Sequence, residues 1–122
     1  MQTWNLETVA TEPHKPTIVS SSDDARAILI ALPAGERLKD HEVHERARVI
    51  VVTGELEITT AGDPVRGGPG LLAEFDPGER HEVLALTDAR FLLLLSPWPG
   101  TGHPGTMSLE DKLTVRERAQ AR

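Results

Sequence analysis

Histidine is the side chain best suited to chemistry in this sequence, and three of the five histidines stand where a pocket can use them. His41 and His44 lie in the charged run Asp40-His41-Glu42-Val43-His44-Glu45, and His81 follows Asp76-Pro77-Gly78-Glu79-Arg80. Imidazole titrates near neutral pH and ligates transition metals through a neutral ring nitrogen. Such a set can therefore move protons, hydrogen-bond a ligand or hold a cation. A Gly-containing turn precedes each unit, Pro33-Ala34-Gly35 in the first and Asp76-Pro77-Gly78 in the second, and a β-rich run follows each. Two turn-then-histidine units imply one pocket lined from two sides.

Other chemistries are excluded by spacing. His41 and His44 are three residues apart ahead of a strand, whereas a metalloprotease helix needs its two histidines four apart. No Gly-x-Ser-x-Gly elbow occurs, and there is no cysteine to serve as a thiolate. Gly67-Gly68-Pro69-Gly70 lacks the Lys and following helix of a phosphate loop and reads as a turn. His14 and His103 sit in Pro- and Gly-rich connectors, where surface exposure is expected.

The elements that must position these groups are short strands. The chain has 122 residues, enough for one domain with a core of its own. Only 3% of residues are aromatic, so the core must be aliphatic, and the 10 Gly and 9 Pro point to many turns. Trp4–Val9 carries a weak strand alternation. Thr17-Ile18-Val19 is a short strand, and Ala27–Leu32 is an apolar run of a length that suits a strand buried on both faces. Arg48–Thr53 and Glu55–Thr60, joined at Gly54, read as a hairpin, with Arg48 paired to Glu45, Glu55 or Glu57. Val65-Arg66 is at most a strand fragment. Leu71–Phe75, His81–Thr87 and Phe91–Ser96 complete the set, and in the second of these His81, Val83 and Ala85 share a face. Roughly eight to ten short strands at this turn spacing make a sandwich or barrel. Glu79 and Arg80 are expected on a solvated rim. Ser108 begins a helix running to about Ala119, with acids in its first turn and arginines toward its end. The expected boundaries are a barrel over 1–107, with residues 1–25 supplying N-terminal strands, and a helical tail over 108–122.

In register, these residues resemble the cupin superfamily. Its first motif runs Gly, five residues, His, one residue, His, three or four residues, Glu, six residues, Gly, and here Gly35, His41 and Gly54 match while Val43 and Ala47 replace the second His and the Glu. Its second motif runs Gly, five residues, Pro, one residue, Gly, two residues, His, three residues, Asn. Gly70, Gly78 and His81 match it, Pro77 comes one place late, and Ala85 stands at the Asn. The resemblance covers about residues 26–97 and implies an all-β fold, a cupin-type jelly-roll β-barrel (double-stranded β-helix), here with a short C-terminal helix. It also implies a ligand pocket lined by His41, Val43, Ala47, His81 and Val83.

Family members with the complete motif hold a divalent metal on three histidines and a glutamate, and many are dioxygenases, isomerases or decarboxylases. Here the resemblance carries over only His41 and His81 as metal ligands. Fe, Mn, Ni or Zn would need at least a third protein donor, and His44 reaches inward only across a bulge or helical turn. Two readings stay open: a pocket that binds a small molecule without a complete metal site, and a metal-dependent enzyme. A formal charge of −6 with scattered basic residues argues against nucleic acid, and no apolar run is long enough to span a bilayer. The N-terminus has no signal-peptide pattern and cytoplasm is the expected compartment. A homodimer is expected, through exchange of the Trp4–Val9 strand with a second copy.

Overall fold

The computed structural model describes residues 1–41 and 44–97, with backbone alone for Lys39, Asp40 and His41. The expected helix at Ser108–Ala119, Trp98 and His103 lie outside the described residues. Nine strands are present among those described: β1 (Thr17–Ser21), β2 (Arg26–Leu32), β3 (Arg37–His41), β4 (Arg46–Thr53), β5 (Leu56–Thr59), β6 (Val65–Gly67), β7 (Leu72–Phe75), β8 (His81–Ala85) and β9 (Ala89–Ser96). They form two antiparallel sheets, one in the order β1-β2-β9-β4-β7 and the other β3-β8-β5-β6. No helix occurs among the described residues, so none there is long and apolar enough to cross a membrane.

Alternation decides what each sheet buries. Along β4 the buried positions are Ala47, Val49 and Val51, and along β8 they are His81, Val83 and Ala85. Successive side chains on a strand point to opposite faces, so each strand gives one row to the interior. From one sheet come Ile30, Leu32, Phe75, Phe91 and Leu95, and from the other Leu56 and Ile58, into a single aliphatic core closed by two phenylalanines. Burying each such large side chain stabilises the fold by about 1.5–3 kcal/mol.

Two expectations about the chain path need correction. The stretch from Arg48 to Thr60 is not a hairpin: β4 pairs with β7 and β9, while β5 pairs with β6 and β8 in the other sheet. Gly54 is the crossing point. Its φ is +78°, and a Cβ there would lie 2.2 Å from the carbonyl oxygen of Asp88, so only glycine lets the chain step between sheets at this place. Arg48 accordingly meets neither Glu45, Glu55 nor Glu57. Its guanidinium contacts Glu74 on β7 at 2.9 Å and donates to the Ser96 hydroxyl on β9 at 3.0 Å.

The second correction is at the N-terminus. Trp4–Val9 forms no strand. The Asn5 carbonyl accepts from the amides of Thr8 and Val9 at 3.0 Å, and the Asn5 side chain accepts from the Glu7 amide at 3.1 Å, so local side-chain bonding winds this segment into a turn. Arg90 then ties it to its own barrel by donating to the carbonyls of Leu6 at 3.0 Å and Val9 at 2.8 Å. The first strand of the fold is β1, which pairs with β2 of the same chain.

Candidate functional site

His81 is positioned by the turn before it. Asp76-Pro77-Gly78-Glu79 is a type II turn: Pro77 presets the second position, Gly78 supplies a φ of +80° at the third, and the Glu79 amide donates to the Asp76 carbonyl at 3.0 Å. The Glu79 carboxylate turns back to accept from the Asp76 amide at 2.9 Å, which fixes the turn from both ends. Arg80, its neighbour on the expected rim, is exposed. The chain leaves the turn as β8 with His81 as its first residue, pointing inward and only 2% exposed.

Two contacts hold the ring. It stacks on Phe75 with centroids 3.9 Å apart and planes within 9°. Its Nδ1 lies 3.2 Å from the Glu79 carbonyl oxygen. A carbonyl only accepts, so this bond places a proton on Nδ1, and the neutral ring then carries its lone pair on Nε2. Such a ring can accept a proton or a hydrogen bond at Nε2 without turning.

The other expected site residues fall around this ring. His41 ends β3 and is the direct cross-strand partner of His81 in the β3–β8 ladder, after a register shift between Leu38 and His41. Val83 is 1% exposed and packs in the core beside Leu38 and Ile58, its register partners. Ala47 is wholly buried and pairs with Phe75 across β4 and β7. Val43 lies outside the described residues. His44 is half-buried in the bend before β4, and its Nε2 is enclosed with no hydrogen-bond partner among the described residues. His14 is exposed, with Nε2 3.2 Å from the Glu36 carboxylate.

Glu45 was expected only as a possible partner of Arg48, not on the inner wall. It is 6% exposed, and with His81 it makes up the buried polar residues of the described chain. The alternation of β4 explains its place: Glu45, Ala47, Val49 and Val51 are buried in turn, so Glu45 continues the inner row one step beyond the strand. That alternation was visible in the sequence. Phe75, the platform under His81, carried no sequence signal beyond being apolar at the end of a strand. Together Glu45, Ala47, Phe75, His81 and the backbone of His41 form one continuous path along the inner wall at this end of the barrel.

Two of the four positions at which the family holds its metal, Val43 and Ala47, carry side chains that cannot ligate. Ala47 offers no donor, and among the described residues no three His, Cys, Asp or Glu side chains stand close enough to share an ion. Among the described residues, His44, Glu45 and His81 do not make a centre by themselves, and an ion there would need a further donor such as His41.

The profile of the cupin domain matches residues 28–96, more than half of the chain. The protein belongs to the cupin family. The match spans β2 to β9, the whole region that carries the inner wall. Solved structures agree on the fold. An RmlC-like cupin protein from Desulfovibrio desulfuricans is 22% identical, with a TM-score of 0.71 over 80% of this chain and 97% of that one. KdgF from Halomonas sp. is 25% identical, with a TM-score of 0.64 over 72% of this chain and 84% of that one. The DMSP lyase DddQ from Ruegeria pomeroyi is 26% identical, with a TM-score of 0.58 over 62% of this chain and 39% of that one. No curated protein matches the sequence. Within this cupin fold the departures at Ala47 and Ala85 stand out: both positions are buried apolar residues, 0% and 1% exposed, packed into the core.

Proposed function

We propose that this cupin binds a small polar organic molecule at the end of the barrel that carries His81 and Glu45, without a complete metal site. The observation that carries the reading is the burial of both. Burying a carboxylate and an imidazole in an aliphatic core costs several kcal/mol unless each is hydrogen-bonded or paired, so positions 45 and 81 keep polar groups at a cost that apolar side chains would avoid. A fold that keeps both at one end of an otherwise apolar interior has a use for them there. His81 would accept a hydrogen bond or proton at Nε2, held still by Phe75 and the Glu79 carbonyl. Glu45 would accept from a hydroxyl or amine. Ala47 and Val83 would form apolar walls, as expected of a small-molecule pocket.

A second reading is favoured by two specific observations: the cross-strand pairing of His41 with His81, and the enclosed, unpartnered Nε2 of His44. Here the protein is a metal-dependent enzyme of dioxygenase, isomerase or decarboxylase type. His41 and His81, joined by His44, would hold Fe, Mn, Ni or Zn, and the ion would supply Lewis-acid or redox chemistry.

One pair of measurements separates the two readings. Metal content is measured after dialysis of untagged protein purified without chelator, and calorimetric binding is screened against neutral sugars, hydroxy acids and amines. The first reading expects well below one metal per chain, and binding that falls about tenfold or more in His81→Ala. Stoichiometric retained metal, lost in both His41→Ala and His81→Ala, would establish the second reading instead.

A further inference from the structure

We propose that the end of the barrel remote from His81 carries a second ligand site, a pocket over Arg90 and Asp88 that takes a small zwitterion of the amino-acid class. The pocket has a volume of about 310 Å³, at the low end of the range usual for small-molecule sites. It lies where the outer face of the five-stranded sheet, apolar along Ile50, Leu92 and Leu94, runs out at the start of β9. Three strands bring their side chains to it at one level: Arg90 on β9 is the register partner of Ala31 on β2 and of Thr53 on β4. Paired residues share a face of the sheet, so these three side chains stand on one side. Pro13, Leu32 and Pro33 supply an apolar lining. At about 3.3 Å per residue, Arg90 stands roughly 16 Å along β9 from Leu95, which marks the level of Ala47 and Phe75 beside His81. The two sites are therefore separate.

Arg90 and Asp88 give this pocket opposite charges that do not neutralise each other. Arg37, Arg46, Arg48 and Arg66 each meet a carboxylate, whereas among the described residues Arg90 meets only backbone carbonyls. Its Nη1 donates to Leu6 and Val9, and the guanidinium keeps Nε and Nη2 as further donors. On Asp88, Oδ1 accepts from the Ala34 amide at 2.8 Å, which holds the carboxylate in place and leaves Oδ2 as an acceptor. Both residues line the same cavity, yet no ion pair joins them. Each is anchored to backbone groups, so the two charges are positioned before a ligand arrives.

Charge selects the ligand class. The chain carries −6, which disfavours a simple anion, and a simple cation would leave Arg90 unmatched. A zwitterion is neutral as a whole and meets neither obstacle. Its carboxylate lies on the guanidinium fork of Arg90 and its ammonium on Asp88, while a short hydrocarbon part rests on Pro13, Leu32 and Pro33. The Thr53 hydroxyl adds a donor on the same side as Arg90.

The test is an NMR titration of the full chain with L-alanine and L-valine to about 20 mM, where a Kd of about 1 mM would saturate the site. The amides of Ala31, Ala34, Thr53 and Arg90 are expected to shift. Two halves of valine serve as comparisons: 3-methylbutanoate lacks the ammonium and isobutylamine lacks the carboxylate. Each should bind about tenfold more weakly than L-valine, or worse. Asp88→Asn keeps an acceptor for the Ala34 amide and removes the charge, and Arg90→Lys keeps the charge and removes the fork. Each should raise the Kd for L-valine about tenfold or more while the β-type circular dichroism spectrum is kept. Asp63→Asn removes one charge from the exposed connection between β5 and β6 and should leave the Kd unchanged. The proposal is overturned if neither amino acid shifts amides at this end of the barrel, or if the shifts gather around His81 instead. It is also overturned if 3-methylbutanoate binds as tightly as L-valine, or if Asp88→Asn leaves the Kd unchanged.

Discussion

At the scale of single residues, the candidate site depends on one ring resting on another. Phe75 is 2% exposed, and its face supports the His81 imidazole while its backbone lies opposite Ala47 in the β4–β7 ladder. Truncation to alanine removes both core packing and the platform. Phe75→Ala should lower unfolding free energy by about 3–5 kcal/mol in urea titrations. It should also leave His81 free to turn, which histidine ring resonances in NMR would show as line broadening or a shift. An unchanged His81 environment would mean the Glu79 carbonyl alone orients the ring. The sequence made His81 legible because a turn and a strand alternation both pointed to it. Glu45 read as a surface partner for Arg48 because the family's glutamate position falls on Ala47, although the same alternation, carried two residues back, leads to a buried carboxylate. On the outer face, the Arg46 guanidinium is held above its ordinary pKa, chiefly by its hydrogen bond to Asp76, which with the charges of Asp76 and Glu74 outweighs desolvation. It therefore stays charged at any pH the fold tolerates.

At the scale of elements, the lesson lies in the step from β4 to β5. Two β runs joined by a short Thr-Gly turn are the local signature of a hairpin, and nothing nearby distinguishes that from a crossing between sheets. What distinguishes them is distant: the Asp88 carbonyl, 34 positions along the chain, occupies the space a side chain at Gly54 would need. Most strands and their facing were legible, since alternation is local, although Trp4–Val9 forms no strand and β3 was not among those expected. Pairing was not, because a partner strand is chosen by the whole core. Gly54→Ala should combine backbone strain at positive φ with a clash against backbone, and lower stability by more than about 1 kcal/mol in chemical denaturation. Gly35→Ala, where φ is +85° but a Cβ would meet no atom within 4 Å, isolates the strain alone and should be milder. Equal losses at the two sites would show that the Asp88 approach is not what reserves position 54.

At the scale of the whole molecule, the topology sets the pace of folding. β2 pairs with β9 and β3 with β8, so each sheet joins strands far apart in sequence. Closing long loops before any contact compensates them is slow. Stopped-flow refolding should therefore proceed on a timescale of roughly milliseconds to seconds. Microsecond folding would show that local turns, rather than distant strand pairing, limit the rate. The two-layer barrel could be expected from turn spacing and motif register, and the domain profile over residues 28–96 bears out the family. The outer apolar face could not be read from sequence. Consecutive leucines at 92–95 say that both sides of a strand are apolar, without saying which side meets the other sheet.

The place of β9 has a consequence for synthesis on the ribosome. The last strand of the described chain is the middle strand of its sheet, with β2 on one side and β4 on the other. Until Ala89–Ser96 has emerged, the larger sheet exists only as two fragments, β1-β2 and β4-β7, each with an open edge facing a gap one strand wide. A nascent chain stalled before Ala89 would present both edges to any extended peptide nearby. Its release from that hazard comes in a single event, when β9 fills the gap and joins the two halves.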